Sequence, residues 1–169
     1  MFHPDKLMAR AQDSGFYRWV LNLALDRLIP FNRPHGFRVL NLSELHIKTS
    51  IPYKRRNLNH IKGLHATALA TLSEFTTGLL LLRVLGAKKY RIILQRMDIQ
   101  YLYQGKMDAT AEFRISNTWI NDRIIQPLTH TESVVVPCEI KIHDLNGNQL
   151  TLTTVYWQIK SWERVKTRV

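Results

Sequence analysis

From Leu64 to Leu82 the chain carries two ionisable residues, His65 and Glu74, in a run that is otherwise apolar, small or hydroxylic. The stretch before it, Asn59-His60-Ile61-Lys62-Gly63, is polar and reads as a loop. The run itself, closed by Gly86, reads as a helix without a polar face. Such a helix is normally buried on all sides, so the rest of the chain must enclose it. A carboxylate inside it is costly unless it is paired, protonated or functional. Glu74 is therefore the first candidate for chemistry. Leu64 to Leu85 is also long enough to cross a bilayer. Five Ser/Thr together with Glu74 and Arg83 favour the buried helix of a soluble domain.

The flanking segments supply the enclosure. Asp5 to Ile29 has helical spacing, with Leu7, Met8 and Ala11, then Trp19, Val20, Leu23, Ala24 and Leu28. Gly15 is a possible break and Pro30 a stop, and Pro34-His35-Gly36 is a turn. Phe37 to Tyr53 reads as two extended segments. After the helix come Tyr90 to Tyr103, a turn at Gln104-Gly105-Lys106, and Met107 to Ile115, which alternates without a fault. Asn121 to Leu128 reads as a short helix or an irregular crossing. Ser133 to His143 alternates again, Asp144-Leu145-Asn146-Gly147-Asn148 turns, and Leu150 to Trp162 returns. The predicted class is α+β: an antiparallel sheet wrapped around a central helix, with an extra N-terminal helix.

At 169 residues the chain suits one domain, 1–169, with a helical segment over 1–29 and the core over 30–169. Met1-Phe2-His3-Pro4-Asp5-Lys6 lacks the apolar core of a secretory signal. The single Cys138 leaves no internal disulfide framework and fits a reducing cytoplasm, and its place in a strand pattern makes it a core residue rather than a nucleophile. No metal-ligand spacing and no phosphate-binding Gly-rich loop occurs, so no cofactor is expected. The net charge of +11 lies wholly in the first 106 residues, since 107–169 hold seven basic residues against seven acids. That field suits an anionic partner: nucleic acid, an anionic membrane surface or a phosphorylated small molecule. It equally suits a solubilising surface. Nucleic acid is disfavoured, because the basic cluster Lys54-Arg55-Arg56 has only Tyr53 beside it for stacking.

This order of elements resembles the hot-dog fold of the acyl-CoA thioesterase superfamily. Its phenylacetate-pathway-type (PaaI-like) members carry Asn-x-x-Gly-x-x-His-Gly-Gly at the start of the central helix and an acid nine residues after the His. Here Asn59 stands six before His65, and Glu74 nine after it. Gly63 lies one position late, and Ala66 and Thr67 replace the two glycines. The Arg33-Pro34-His35-Gly36 turn and the Asp144–Gly147 hairpin resemble a sparsely characterised, thioesterase-like branch. The resemblance spans about residues 30–162. It implies an acyl-CoA or acyl-carrier thioester as substrate, coenzyme A only as part of that substrate, and a homodimer or dimer of dimers. It also implies Glu74, Asn59 and His65 as catalytic, and Gly63, Ala66 and Thr77 with Lys54, Arg55 and Arg56 as substrate-binding.

Thioester hydrolysis needs a base to activate water and donors for the developing oxyanion. Glu74 fits as base or nucleophile, with its proton affinity raised by burial. The free N–H groups near Ala66, at the positive end of the helix, fit the oxyanion. Plainer roles stand beside these. Glu74 could pair with Arg91 or Arg96, His65 could be a helix-start residue bonded to backbone, and Asn59 a turn residue. Lys54-Arg55-Arg56 is either a solvated loop or a grip for the phosphates of coenzyme A. A non-catalytic acyl or acyl-CoA binding protein is the alternative to an enzyme. Nine residues of helix give about 13 Å of rise and half a turn net. His65 and Glu74 therefore face opposite sides and can share a site only across two subunits.

Overall fold

The computed structural model describes residues 4–165. Met1 to His3, on which the reading of the N-terminus partly rests, and the last residues of the expected 1–169 domain lie outside the described residues. The chain opens with α1 (Pro4–Asp13) and α2 (Gly15–Leu28), so the predicted N-terminal helix is two helices. The break falls at Ser14, whose side chain caps α2 by accepting from the Tyr17 N–H. Two short strands follow, β1 (Arg38–Leu42) and β2 (His46–Ile51), and then the central helix α3 (Ala66–Leu85). The second half comprises β3 (Tyr90–Tyr101), β4 (Ala109–Arg114), β5 (Val134–Asp144) and β6 (Gln149–Ser161). Between β4 and β5 lie α4 (Asn117–Ile120), a π-helical segment Asn121–Ile125 and α5 (Gln126–His130).

The six strands form one antiparallel sheet in the order β1-β2-β4-β5-β6-β3. Alternation sets its inner face: Ala109, Ala111 and Phe113 on β4, Val136, Cys138, Ile140 and Ile142 on β5, and Val155, Trp157 and Ile159 on β6 are buried. Gln104-Gly105-Lys106, read as the turn between the segments of β3 and β4, does not join neighbouring strands, because β3 pairs with β6 and β4 with β2 and β5. Residues 102–108 are a crossing from the edge of the sheet to its interior. The crossing is pinned beneath the start of α3, where the Gly105 carbonyl accepts from the Leu64 N–H at 2.8 Å. A Cβ on Gly105 would come within 2.8 Å of Leu150, so the passage is too tight for a side chain. At the far hairpin, Asp144 Oδ1 accepts from the N–H groups of Asn146 and Asn148, which closes the turn.

Helix α3 is long and apolar enough to cross a bilayer, yet it is mostly buried against the sheet, as the core helix of a soluble protein is. Its hydroxyl residues make that burial possible. Ser73, Thr76 and Thr77 are each fully buried and donate back to the carbonyls of Leu69, Leu72 and Ser73. They also reach the sheet: Thr76 meets Thr49 at 2.6 Å, Ser73 meets Thr153 at 3.2 Å, and Thr77 accepts from the Trp157 indole at 3.0 Å. Buried hydroxyls paired in this way fix the helix at one rotation and one height over the sheet. Gly86, at φ +81°, ends it.

Candidate active site

Helix α3 presents the sequence-predicted residues at two places. Midway along it, Glu74 is half-buried in a groove of about 360 Å³, among Ile29, Phe31, Phe75, Gly78 and Trp157. Its carboxylate makes no hydrogen bond or ion pair among the described residues, and burial by itself pushes its pKa above the usual carboxylate range. The two arginines that could have neutralised it are engaged elsewhere. Arg91 donates to Gln158, and Arg96 forms a two-pronged pair with Asp98. An unpaired carboxylate in an apolar groove has the proton affinity and the approach that a general base requires. Thr77, most of a turn further on, points into the core and is taken up by Trp157 and the Ser73 carbonyl.

One wall of this groove comes from the turn after α2. Phe31, His35, Phe37 and Phe75 form a chain of ring contacts at 5.7, 5.4 and 5.9 Å that ties the turn to α3. Fully buried Asn57 holds the turn from behind. Its amide donates to the carbonyls of His35 and Pro52 at 2.9 and 2.8 Å, and its Oδ1 accepts from His35 Nδ1 at 3.0 Å. The Asn57 carbonyl in turn accepts from the His65 N–H at 2.7 Å, which joins the turn to the start of α3. Sequence reasoning passed over Asn57 and His35. Pro34-His35-Gly36 signalled only a turn, and Asn57 looks like the polar end of a basic run.

At the start of α3 the chain makes a tight polar loop. Asn59 Oδ1 accepts from the N–H groups of Ile61 and Gly63 at 3.1 and 2.9 Å, the plain turn-forming role. A Cβ at Gly63 would come within 2.8 Å of Gln104, so this glycine permits close packing. His65 is the N-cap. Its Nδ1 accepts from the Thr67 N–H at 3.2 Å and the Thr67 hydroxyl at 2.8 Å, which leaves the imidazole proton on Nε2. The Ala66 N–H has no partner among the described residues, while the Ala66 carbonyl accepts from the Tyr101 hydroxyl at 3.0 Å. Asn59, Ile61, Ala66, Tyr101 and Tyr103 line a second groove of about 390 Å³. Burial raises the Tyr101 pKa, and no sequence motif pointed to this tyrosine.

Within one chain, then, Asn59 and Ala66 line one groove and Glu74 the other. Lys54 is half-buried with its ammonium against Gly36, and its pKa is lowered by burial first and then by Arg38 and Arg56. Arg55 and Arg56 are exposed. Burial pushes the Cys138 thiol up to about 12, which suits a core residue and not a nucleophile. Among the described residues no group of His, Cys, Asp and Glu is placed to hold a metal ion.

The family described as "Domain of unknown function (DUF4442)" matches residues 17–159. A protein of unknown function from Pseudomonas aeruginosa, described as a probable thioesterase, superposes with a TM-score of 0.77 at 23% identity, over 85% of this chain and 95% of that one. A thioesterase from Haemophilus influenzae does so with a TM-score of 0.66 at 13% identity, over 89% and 95%. A substituted thioesterase from Staphylococcus aureus gives 0.63 at 16% identity, over 78% and 98%. No curated protein matches the sequence closely enough to count as a relative. The shared architecture is the hot-dog fold, with the sheet closed around one long helix.

Proposed function

This chain belongs to the DUF4442 family, and we propose that it hydrolyses a thioester, an acyl-CoA above all, in a site completed by two copies of the chain. The observation that carries this is Glu74: an acid with no partner among the described residues, its pKa raised by burial, at an open apolar groove. The thioesterases with which the chain shares its fold support the same reaction class. Because Glu74 and the start of α3 line different grooves in one chain, one subunit supplies the base and its partner the oxyanion donors.

In this reaction Glu74 takes a proton from water, and the water oxygen adds to the thioester carbonyl carbon. The oxyanion is held by the unpartnered Ala66 N–H at the positive end of α3, where a helix N-terminus favours negative charge. The carbon–sulfur bond then breaks, and the thiolate leaves with the proton from Glu74, giving a carboxylic acid and a free thiol. Acting as nucleophile instead, Glu74 would form a mixed anhydride that water cleaves to the same products. Asn59 and His65 shape the loop that presents the Ala66 N–H. Gly63 allows that loop to pack, Thr77 seats Trp157 behind the groove, and Lys54, Arg55 and Arg56 offer charge to the phosphates of coenzyme A. The buried, free Cys138 is in keeping with a cytoplasmic setting.

A panel of acyl-CoAs with free-thiol detection tests the reading. The parent should release thiol, and Glu74→Gln should stay folded, bind acyl-CoA and lose about 10²- to 10⁴-fold in rate. One feature favours the second reading, a binding protein without turnover: Ala66 and Thr67 crowd the helix start where glycines would open it. A parent that binds acyl-CoA and releases no thiol would establish that second reading, whereas Glu74→Gln turning over as fast as the parent would remove Glu74 as the base.

A further inference from the structure

Helix α2 turns a large apolar face to solvent. Phe16 is 65% exposed, Trp19 58% and Leu23 36%, and the spacing of these three places them on one side of the helix. The opposite side, with Leu21 and Leu25, is buried in the core. The Phe16 and Trp19 rings touch, with centroids 6.0 Å apart, so they form one surface rather than scattered exposed side chains. Exposed Arg27 continues the same face one turn beyond Leu23, and exposed Arg33 follows in the next turn of chain. The stripe runs toward the end of α2, where Ile29 and Phe31, the latter 69% exposed, line the groove that holds Glu74.

The geometry points to this face as a docking surface for an anionic lipid bilayer. A solvent-exposed row of Phe, Trp and Leu ending in arginines is the pattern of a helix that lies in the plane of a membrane interface, rings among the acyl chains and cations at the headgroups. Charge complementarity selects the lipid: the net charge is +11, all of its excess lies in residues 1–106, and the stripe falls in that half. Docked in this way, α2 would bring the mouth of the apolar groove to the lipid surface, from which an amphiphile with an acyl chain could enter directly. The lipid contact itself needs no catalysis, so it stands or falls apart from thioester hydrolysis.

Sedimentation with vesicles of phosphatidylcholine alone and of phosphatidylcholine mixed with phosphatidylglycerol decides the matter. The parent should pellet with the mixed vesicles, release as salt rises, and stay in the supernatant with phosphatidylcholine alone. Phe16→Ser/Trp19→Ser should weaken that binding by at least about tenfold while hydrolysis of soluble short-chain thioesters is unchanged. Leu23→Ser, on the same face, gives a second reading if the double variant is unstable. No pelleting with mixed vesicles overturns the proposal. So does a double variant that pellets like the parent, which would mean charge attraction without insertion, or one whose assembly mass falls, which would mean that a second copy covers the face.

Discussion

The indole N–H of Trp157 donates to the Thr77 hydroxyl at 3.0 Å, joining the last strand to the middle of the central helix in the core of the protein. The same ring lies 2.8 Å from where a Cβ on Gly78 would be, and it lines the groove of Glu74. One residue thus sets both the height of α3 over the sheet and the back of the candidate site. A glycine inside a helix usually loses to alanine. Here the order should reverse, because the added methyl group meets a ring that its hydrogen bond to Thr77 holds in place. Gly78→Ala is expected to destabilise by about 1–3 kcal/mol in urea unfolding. A more stable Gly78→Ala would show that the ring does not press on the helix.

Glu74 should make stability depend on pH in a definite direction. Its folded pKa is raised, so between the ordinary carboxylate value and the raised one the folded state binds more protons than the unfolded state. Stability therefore falls as pH rises through that window. Glu74→Gln does not titrate, so it should melt higher than the parent at neutral pH. The advantage should vanish below about pH 4, where the parent's carboxyl is protonated in both states. An equal difference in melting temperature at both pH values would mean that burial does not perturb this acid. Catalysis should run the other way, rising with pH as the carboxylate forms.

Asn57 is expected to be the most sensitive polar position outside α3. Asn57→Ala removes three hydrogen bonds and takes from the half-buried His35 carbonyl its Asn57 donor, while the Pro52 carbonyl keeps the Lys54 N–H. An unsatisfied buried group costs about 1–3 kcal/mol, so thermal unfolding should show a large loss. Quenching of tryptophan fluorescence should also rise as the turn at 34–36 loosens from the Trp157 groove. A variant as stable as the parent would mean that water replaces the lost partners.

The exposed Ile61, Leu102 and Tyr103 cluster where the crossing meets the start of α3, at the end of edge strand β3. An apolar patch beside an open strand edge calls for cover. Light scattering should report a dimer or a dimer of dimers, and Ile61→Glu/Leu102→Glu should lower the mass. A parent that is monomeric at micromolar concentration would remove the shared-site mechanism.

If Lys54, Arg55 and Arg56 grip the nucleotide of coenzyme A, binding should weaken with salt, because exposed charges are screened over about 10 Å at 0.1 M. Neutralising Arg55 and Arg56 should raise KM more than it lowers kcat. Equal KM values for acyl-CoA and for short thioesters without the nucleotide would mark this loop as a solvated surface.

The central helix, the strand alternation and the lone acid of that helix were legible in the sequence because each is a local pattern. A 3.6-residue or 2-residue period, or a single acid between Leu64 and Leu82, needs no knowledge of the partner surface. The break before Gly15, the stop at Gly86 and the 144–148 turn were legible for the same reason, since backbone chemistry marks them directly. Strand order was not. The chain turns near Gly105 in either topology, and only packing under α3, with Leu64 and Leu150 against the glycine, sends it across the sheet rather than back along β3. The roles of Thr77, Asn57 and Tyr101 were equally hidden, because their partners Trp157, His35 and Ala66 lie 80, 22 and 35 residues away. Sequence determined which helix is enclosed and which acid it carries. Tertiary structure decided that no arginine among the described residues reaches that acid, because Arg91 and Arg96 lie on an edge strand where Gln158 and Asp98 take them.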